Sequence, residues 1–414
     1  MMKVRVIDSF LERHPRVHLS LKAAVWGAFA AGLYHAVVHP YVTQWDFKLY
    51  LSCAKTLGLG FNPYDEGQIV KACGYQWGMP CLYPPLMLQV YRPFLWLSPG
   101  FEQYGSQYLW SFLKLLAAAG LVALWRKRFV EIRHELFTLL FFLLAYGSPL
   151  VVDIRAGNVA VFEQLLLWGG FAFMLSGRDV PFVACILLSA LAKQTPAAFL
   201  VLLVLRPRPR WGLFLGACVA YAGTLGLNYA LFPALTAAYF EKLAATMSIW
   251  RGESGLINCS TDAFLRSVLA LVSPGRSPEA LTLLFTAGVL AVSGWAHFRR
   301  LTKGGGERSL EIVFFTCVTY ALVVPRLKDY SYLLLLLPTF YILERTDSSR
   351  LRWAIFACAF VNSLKSLGLR FGLGEAAVLL SYFKWYALVL VWVAYLRHFA
   401  RVPRAGGLPA PSSR

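Results

Sequence analysis

Acidic side chains are scarce in this chain, 21 against 40 lysines and arginines. One of them, Asp46, falls just beyond an apolar stretch (about Leu19 to His39) of membrane-spanning length. A carboxylate beside a membrane boundary is costly enough that chemistry explains it better than solubility. It opens the run Trp45 to Pro85, WDFKLYLSCAKTLGLGFNPYDEGQIVKACGYQWGMPCLYPP, ahead of the next apolar segment. Further polar residues gather in the connectors assigned to the same side: Asp153/Arg155, Lys193, Asp262/Arg266 and Arg326/Lys328/Asp329. One exposed carboxylate, Asp46, among several cations and a wall of aromatics suits transfer of a group away from a phosphate. The carboxylate can take the proton of an attacking hydroxyl, and arginine or lysine can neutralise charge growing on the departing phosphate. The aromatics Trp45, Tyr50, Tyr64, Tyr75, Trp77 and Tyr83 could offer faces to a sugar ring, although aromatic enrichment at membrane interfaces accounts for them equally well. Plainer readings stand beside these: Asp46 as a loop residue or a helix cap, Asp153 and Arg155 paired with each other, Lys193 merely turning a hairpin, and Arg326/Lys328/Asp329 as a wet connector. No HExxH, Walker loop, GxSxG or dinucleotide fingerprint occurs where its context requires it.

The elements that must position these groups are membrane helices. At 58% hydrophobic residues and a mean hydropathy of +0.56, the chain reads as an all-α polytopic membrane protein. Its net charge of +19 does not indicate nucleic acid, because the basic residues cluster in short connectors such as Arg126-Lys127-Arg128, Arg206 to Arg210 and Arg299-Arg300. That is the positive-inside pattern, with anionic lipid headgroups as the partner it implies. Followed along the chain, the pattern places both termini in the cytoplasm and gives about twelve membrane helices, two of them short. External loops then lie at about 40–103 and 233–278, in one transmembrane domain spanning 1–400, with a disordered cytoplasmic tail at 401–414. Phe47 to Leu59 reads as an amphipathic helix along the membrane surface, ended by Asn62-Pro63-Tyr64. Pro84 to Leu97 is too short to cross and reads as a surface or re-entrant helix. Val180 to Leu205 reads as a hairpin of two short helices turning at Lys193-Gln194-Thr195-Pro196, which leaves Lys193 at depth and in need of a partner.

The eight cysteines have no metal-ligand spacing. Cys73 with Cys81 is a candidate disulfide in an oxidising compartment. Asn258-Cys259-Ser260 has the form of a glycan acceptor, a pattern that also arises by chance.

Taken together, Asp46, Tyr50 four residues on, Gly60-Phe61-Asn62-Pro63-Tyr64 and Tyr83-Pro84-Pro85-Leu86 resemble the GT-C-fold glycosyltransferases of family 87, which include polyprenyl-phosphate-mannose-dependent mannosyltransferases. The resemblance continues through Arg155-Ala156-Gly157-Asn158, where the family tends to G-Q-x-N, and Ala192-Lys193-Gln194-Thr195-Pro196, similar to its K-x-x-P hairpin. The late segment Val324 to Tyr330 lacks the family's usual histidine. The resemblance implies a GT-C-like bundle with external juxtamembrane helices in a bacterial inner membrane. It further implies an inverting, metal-independent transfer on the external face with no cofactor, from a polyprenyl-phosphate sugar (mannose as default) to a glycan or glycolipid acceptor. Asp46 inherits the general-base role; Arg155, Lys193, Arg326 and Lys328 are candidates for the donor phosphate, and Tyr50, Asn62, Tyr64, Tyr83 and Asn158 for substrate. A transporter or flippase of a lipid-linked sugar is the alternative, which the absence of an internal repeat and the long outer loops disfavour.

Overall fold

A computed structural model of the chain describes residues 15–39, 43–76, 78–97, 104–130, 135–250, 253–273, 275, 277–303 and 309–401. These are helical throughout, with no strand among them. In chain order the α-helices are α1 (Pro15–Val38), α2 (Trp45–Gly58), α3 (Glu66–Cys73), α4 (Pro85–Tyr91), α5 (Gly105–Arg128), α6 (Glu135–Leu144), α7 (Pro149–Ala156), α8 (Ala160–Leu175) and α9 (Asp179–Ala192). There follow α10 (Trp211–Leu231), α11 (Pro233–Trp250), α12 (Thr261–Val272), α13 (Glu279–Lys303), α14 (Ser309–Val323), α15 (Leu336–Arg345), α16 (Ser349–Phe360), α17 (Lys365–Arg370) and α18 (Phe383–Arg401). Tighter 3₁₀ turns lie between some of them, notably Arg92–Leu97, Thr195–Leu203 and Asp329–Leu335.

Three helices among the described residues, α5, α10 and Glu279–Leu301 of α13, are long and apolar enough to cross a bilayer, or five spans if two bent pairs each count as one. That is fewer than the twelve or so expected. The reason lies in the helices that carry polar residues: α8, α9 and Leu310–Val323 are apolar yet only 10–17 residues long, short of the roughly 20 that a crossing needs. Others are broken. Between α6 and α7 the chain turns through three consecutive residues at positive φ, Tyr146, Gly147 and Ser148, bending the pair by 56°. The expected tail, beyond Arg401, lies outside the described residues.

The hairpin expected over Val180 to Leu205 forms as α9 and the 3₁₀ turn Thr195–Leu203, with Lys193 extended between them. The expected short helix at Pro84 to Leu97 is α4 continued by a 3₁₀ turn. Its prolines leave the first amides without helical partners, and Asn228 of α10 accepts from Leu86 N at 2.9 Å.

Helix α2 departs from expectation. Rather than lying on a surface, it buries Asp46, Phe47, Leu49 to Ala54 and Thr56. Phe47 stacks on Trp110 of α5 at 4.6 Å between ring centroids, and Tyr50 meets both Tyr83 and Tyr91. The apolar face predicted from the sequence is there, but α4 and α5 cover the remaining faces as well. Helix α11, in the stretch expected to form the second external loop, folds over the first such stretch: Tyr239 packs on Tyr64 and Lys242 pairs with Glu66 at 3.3 Å.

Candidate active site

The site is built on the turn Arg155-Ala156-Gly157-Asn158, where α7 ends and α8 begins. A helix C-terminus leaves carbonyls without partners and favours a nearby cation. Lys114, in the middle of α5, supplies both needs: its Nζ reaches Asp153 O at 2.6 Å, Asn158 O at 2.5 Å and Asp153 Oδ2 at 2.8 Å. All three ammonium protons are thereby used, and both side chains of the ion pair are 0% exposed. Trp110 Nε1 donates to Gly157 O at 2.9 Å, and Gln44 N to Arg155 O at 2.7 Å. Gly157 has φ +70°, and a Cβ there would stand 2.9 Å from Phe47 Cβ and 3.0 Å from Gln44 Cα. Glycine is what lets α2 dock against this turn.

Docking brings Asn158 to Asp46. Asn158 Nδ2 donates to Asp46 Oδ2 at 2.7 Å and to the Tyr50 hydroxyl at 3.0 Å. Its Oδ1 accepts from Lys193 Nζ at 3.2 Å and Ala160 N at 3.1 Å. Lys193 also pairs with Glu163 of α8 at 3.0 Å and lies over the Tyr330 ring at 5.0 Å. Asp46 is 8% exposed, so the expected exposed carboxylate is nearly buried, in the first turn of α2 where the helix dipole favours its charge. It does not cap the helix; Gln44 holds that position. Oδ2 is held by Asn158, while Oδ1 has no hydrogen bond among the described residues.

Three of the aromatic residues take a different part from the one expected, while Trp45 and Tyr75 stay exposed. Tyr50, Tyr64 and Tyr83 are buried and packed on their neighbours, so the faces predicted to stack on a sugar are already occupied. Their hydroxyls instead bond within the protein: Tyr64 donates to the backbone carbonyl of Tyr83, and the Tyr83 hydroxyl to the Tyr50 hydroxyl, both at 2.7 Å. Burial first, then the neighbouring Tyr83 and Asp46, raise the Tyr50 phenol well above its ordinary range, which keeps it neutral and able to donate. Asn62 forms a turn, its Oδ1 accepting from Tyr64 N at 3.0 Å. Trp77 lies outside the described residues.

The phosphate candidates divide. Lys193 is joined to Asp46 through Asn158. Lys328 is half-buried, and its side chain has no hydrogen bond or ion pair among the described residues. Burial first, then the charge of Arg326, lower its pKa, while Asp46 acts in the opposite direction. Arg326 is held by Glu253 through two bonds of 2.8 and 2.5 Å, and Asp329 by Lys384 at 2.6 Å. Arg155 is exposed and has no side-chain partner among the described residues. The pairing considered between Arg155 and Asp153 does not form: residues two apart on a helix point to different faces, and Asp153 faces Lys114 instead. Lys114, Glu163, Gln44 and Glu253 were missed from the sequence. A lysine within SFLKLLAAAG and a glutamate within VFEQLLLW, each inside an apolar helix, were the available signals.

The segment that carries Lys328 is pinned by residues 258–260. Asn258 Oδ1 accepts from Leu327 N at 3.1 Å, Ser260 Oγ donates to Pro325 O at 2.8 Å and Cys259 N to Leu327 O at 3.1 Å. Asn258 is therefore a buried clamp rather than a glycan acceptor. All eight cysteines are free thiols; Cys73 approaches Ser52 O and Thr56 rather than bonding to Cys81. Beside Gln194, a cavity of about 60 Å³ opens between α4, α9 and α10, its walls largely apolar: Leu86, Met87, Val90, Leu191 and Leu225.

A family model described as glycosyltransferase family 87 matches residues 82–325. The chain belongs to glycosyltransferase family 87. It is thus a membrane glycosyltransferase, as the resemblance implied. The matched span holds Tyr83, Arg155, Asn158 and Lys193 of the family 87 chain, whereas Asp46, Tyr50, Asn62, Tyr64, Arg326 and Lys328 lie outside it. No curated protein and no solved structure gives a significant match.

Proposed function

We propose that this family 87 enzyme transfers a sugar, mannose as default, from a polyprenyl-phosphate donor to a hydroxyl of a glycan or glycolipid on the external face of a bacterial inner membrane, with inversion and without a cofactor. The observation that carries the reading is the Asp46 carboxylate: one oxygen fixed by Asn158, the other free to accept a proton, with Lys193 joined to it through the same amide. The acceptor oxygen forms its bond to the sugar C1 as the C1–O bond to phosphate breaks. Its proton passes to Asp46 Oδ1, and the bonding pair leaves with the phosphate, whose charge is met by Lys193 and Lys328. Arg326 joins them by sharing its guanidinium between Glu253 and the phosphate. Arg155, exposed on the same turn, is in reach of an incoming donor rather than of Asp46. The apolar cavity beside Gln194 supports a lipid-linked donor, since an isoprenoid chain entering there leads its phosphate toward Lys193.

The test supplies purified enzyme in detergent with radiolabelled polyprenyl-phosphate sugars and a panel of membrane glycan acceptors. Labelled glycan and free polyprenyl phosphate should appear from one of the donors, without any second compartment. Turnover of a nucleotide sugar with no use of any polyprenyl-phosphate donor would overturn the reading, as would full activity in Asp46→Asn.

A further inference from the structure

A second cavity, polar where the first is apolar, lies at the other end of α18. That helix starts beside the candidate site, where Lys384 pairs with Asp329, and ends at Arg401. Seventeen residues at 1.5 Å each span about 25 Å, close to the thickness of a bilayer core. The far end carries the basic helix termini: His398 and Arg401 of α18, and Arg345 of α15. Here a cavity of about 350 Å³ is lined by Arg345, Asp347, Ser348, Arg397, His398 and Arg401, with Leu351 and Ala394 among its apolar walls.

Its charges do not cancel. Asp347 is the one carboxylate in the lining, paired with Arg401 at 2.6 Å in an exposed bridge. Arg397 is exposed and has no ion pair among the described residues. Arg345 lies flat on Tyr341, its guanidinium carbon 3.6 Å from the ring centre, and makes a long, partly exposed ion pair with Glu344 at 3.9 Å. His398 is tied to Glu311 at 3.1 Å, but Glu311 is also bound by Arg300. Ser348 caps α16, whose N-terminal end adds partial positive charge. Three guanidinium groups against Asp347 in the lining and Glu344 beside Arg345 leave a net positive charge; over an apolar wall at the membrane face opposite the transfer site, they match a phosphate monoanion attached to acyl chains.

We infer that this cavity binds a phosphate group, that of an anionic phospholipid headgroup, and anchors the cytoplasmic ends of α15, α16 and α18 to the lipid around them. The inference does not depend on the sugar donor or on Asp46.

The full-length protein in a zwitterionic detergent is titrated with dioctanoyl phosphatidylglycerol, dioctanoyl phosphatidylcholine and inorganic phosphate, following bound probe and the unfolding midpoint. Phosphatidylglycerol should bind and raise the midpoint where phosphatidylcholine does not. Arg397→Gln with Arg401→Gln, both on exposed residues, should weaken that binding about thirtyfold, since each basic group contributes roughly fivefold near an anionic surface. Inorganic phosphate that competes at millimolar concentration identifies a phosphate site open to free anions as well; phosphate that does not compete identifies a site requiring the acyl chains. Both outcomes support phosphate recognition. Equal binding by wild type and the double variant, or equal binding of the two lipids, overturns it. Sugar transfer in detergent should be unchanged in the double variant, which separates this result from failure of the transferase reading.

Discussion

The side-chain amide of Asn158 donates to Asp46 Oδ2 at 2.7 Å while its carbonyl oxygen accepts from Lys193 at 3.2 Å. One amide therefore joins the carboxylate of α2 to the cation at the α9 turn. Asn158→Asp places a second carboxylate against the first, and two so close cannot both ionise. The acidic limb of the kcat profile should move to higher pH by about one unit or more. A pH series of initial rates checks this; an unmoved profile would show that the Asp46–Asn158 contact does not govern turnover.

Asp46→Asn keeps an oxygen that can accept from Asn158 but removes the proton acceptor. Transfer should fall by about 10²–10⁴-fold, the usual contribution of a positioned base. The unfolding midpoint should hardly change. Product formation measured alongside a melting curve separates lost chemistry from lost fold.

Lys328 sits where burial lowers its pKa, with Arg326 adding to the effect. A lowered pKa means that the ammonium loses its proton as pH rises, before an ordinary lysine would. The donor KM should therefore increase on the alkaline side, below pH 10.5, and binding should be fully present only on the acid side of that limb. Lys328→Arg, which stays charged, should abolish the alkaline limb. Donor KM against pH for both proteins is the measurement.

Breaking the buried Lys114–Asp153 pair leaves one charge stranded. Lys114→Met alone should destabilise by about 3–5 kcal/mol. Adding Asp153→Leu should recover a substantial part of that loss, because no buried charge then lacks a partner. Denaturation of the two variants in detergent would decide it, and a double variant no more stable than the single one would assign the damage to the lost carbonyl contacts.

Gly157→Ala adds a Cβ 2.9 Å from Phe47 Cβ at a residue with φ +70°. The left-handed conformation alone costs about 1–2 kcal/mol, and the contact separates α2 from α7. Both the unfolding midpoint and kcat should drop, with kcat falling further than the stability change accounts for, since Asp46 moves with α2.

The sequence by itself determined the class of molecule and much of its chemistry. Apolar composition and basic connectors require a helical membrane protein, because a chain in lipid must satisfy its backbone internally. The family was legible in Tyr83-Pro84-Pro85-Leu86 and Lys193-Gln194-Thr195-Pro196, whose prolines also fix a short helix and a hairpin locally. Tertiary structure decided how these parts meet. No local pattern shows that α2, amphipathic by its spacing, is covered on nearly every side, or that Lys114 in one helix closes the end of another. Nor does the sequence show that Asp153 turns to Lys114 and leaves Arg155 exposed. Each depends on pairs such as Tyr83 and Tyr50, Lys114 and Asp153, and Asn158 and Asp46, which are 33, 39 and 112 residues apart, and side-chain periodicity reports only which face is apolar, not what packs against it.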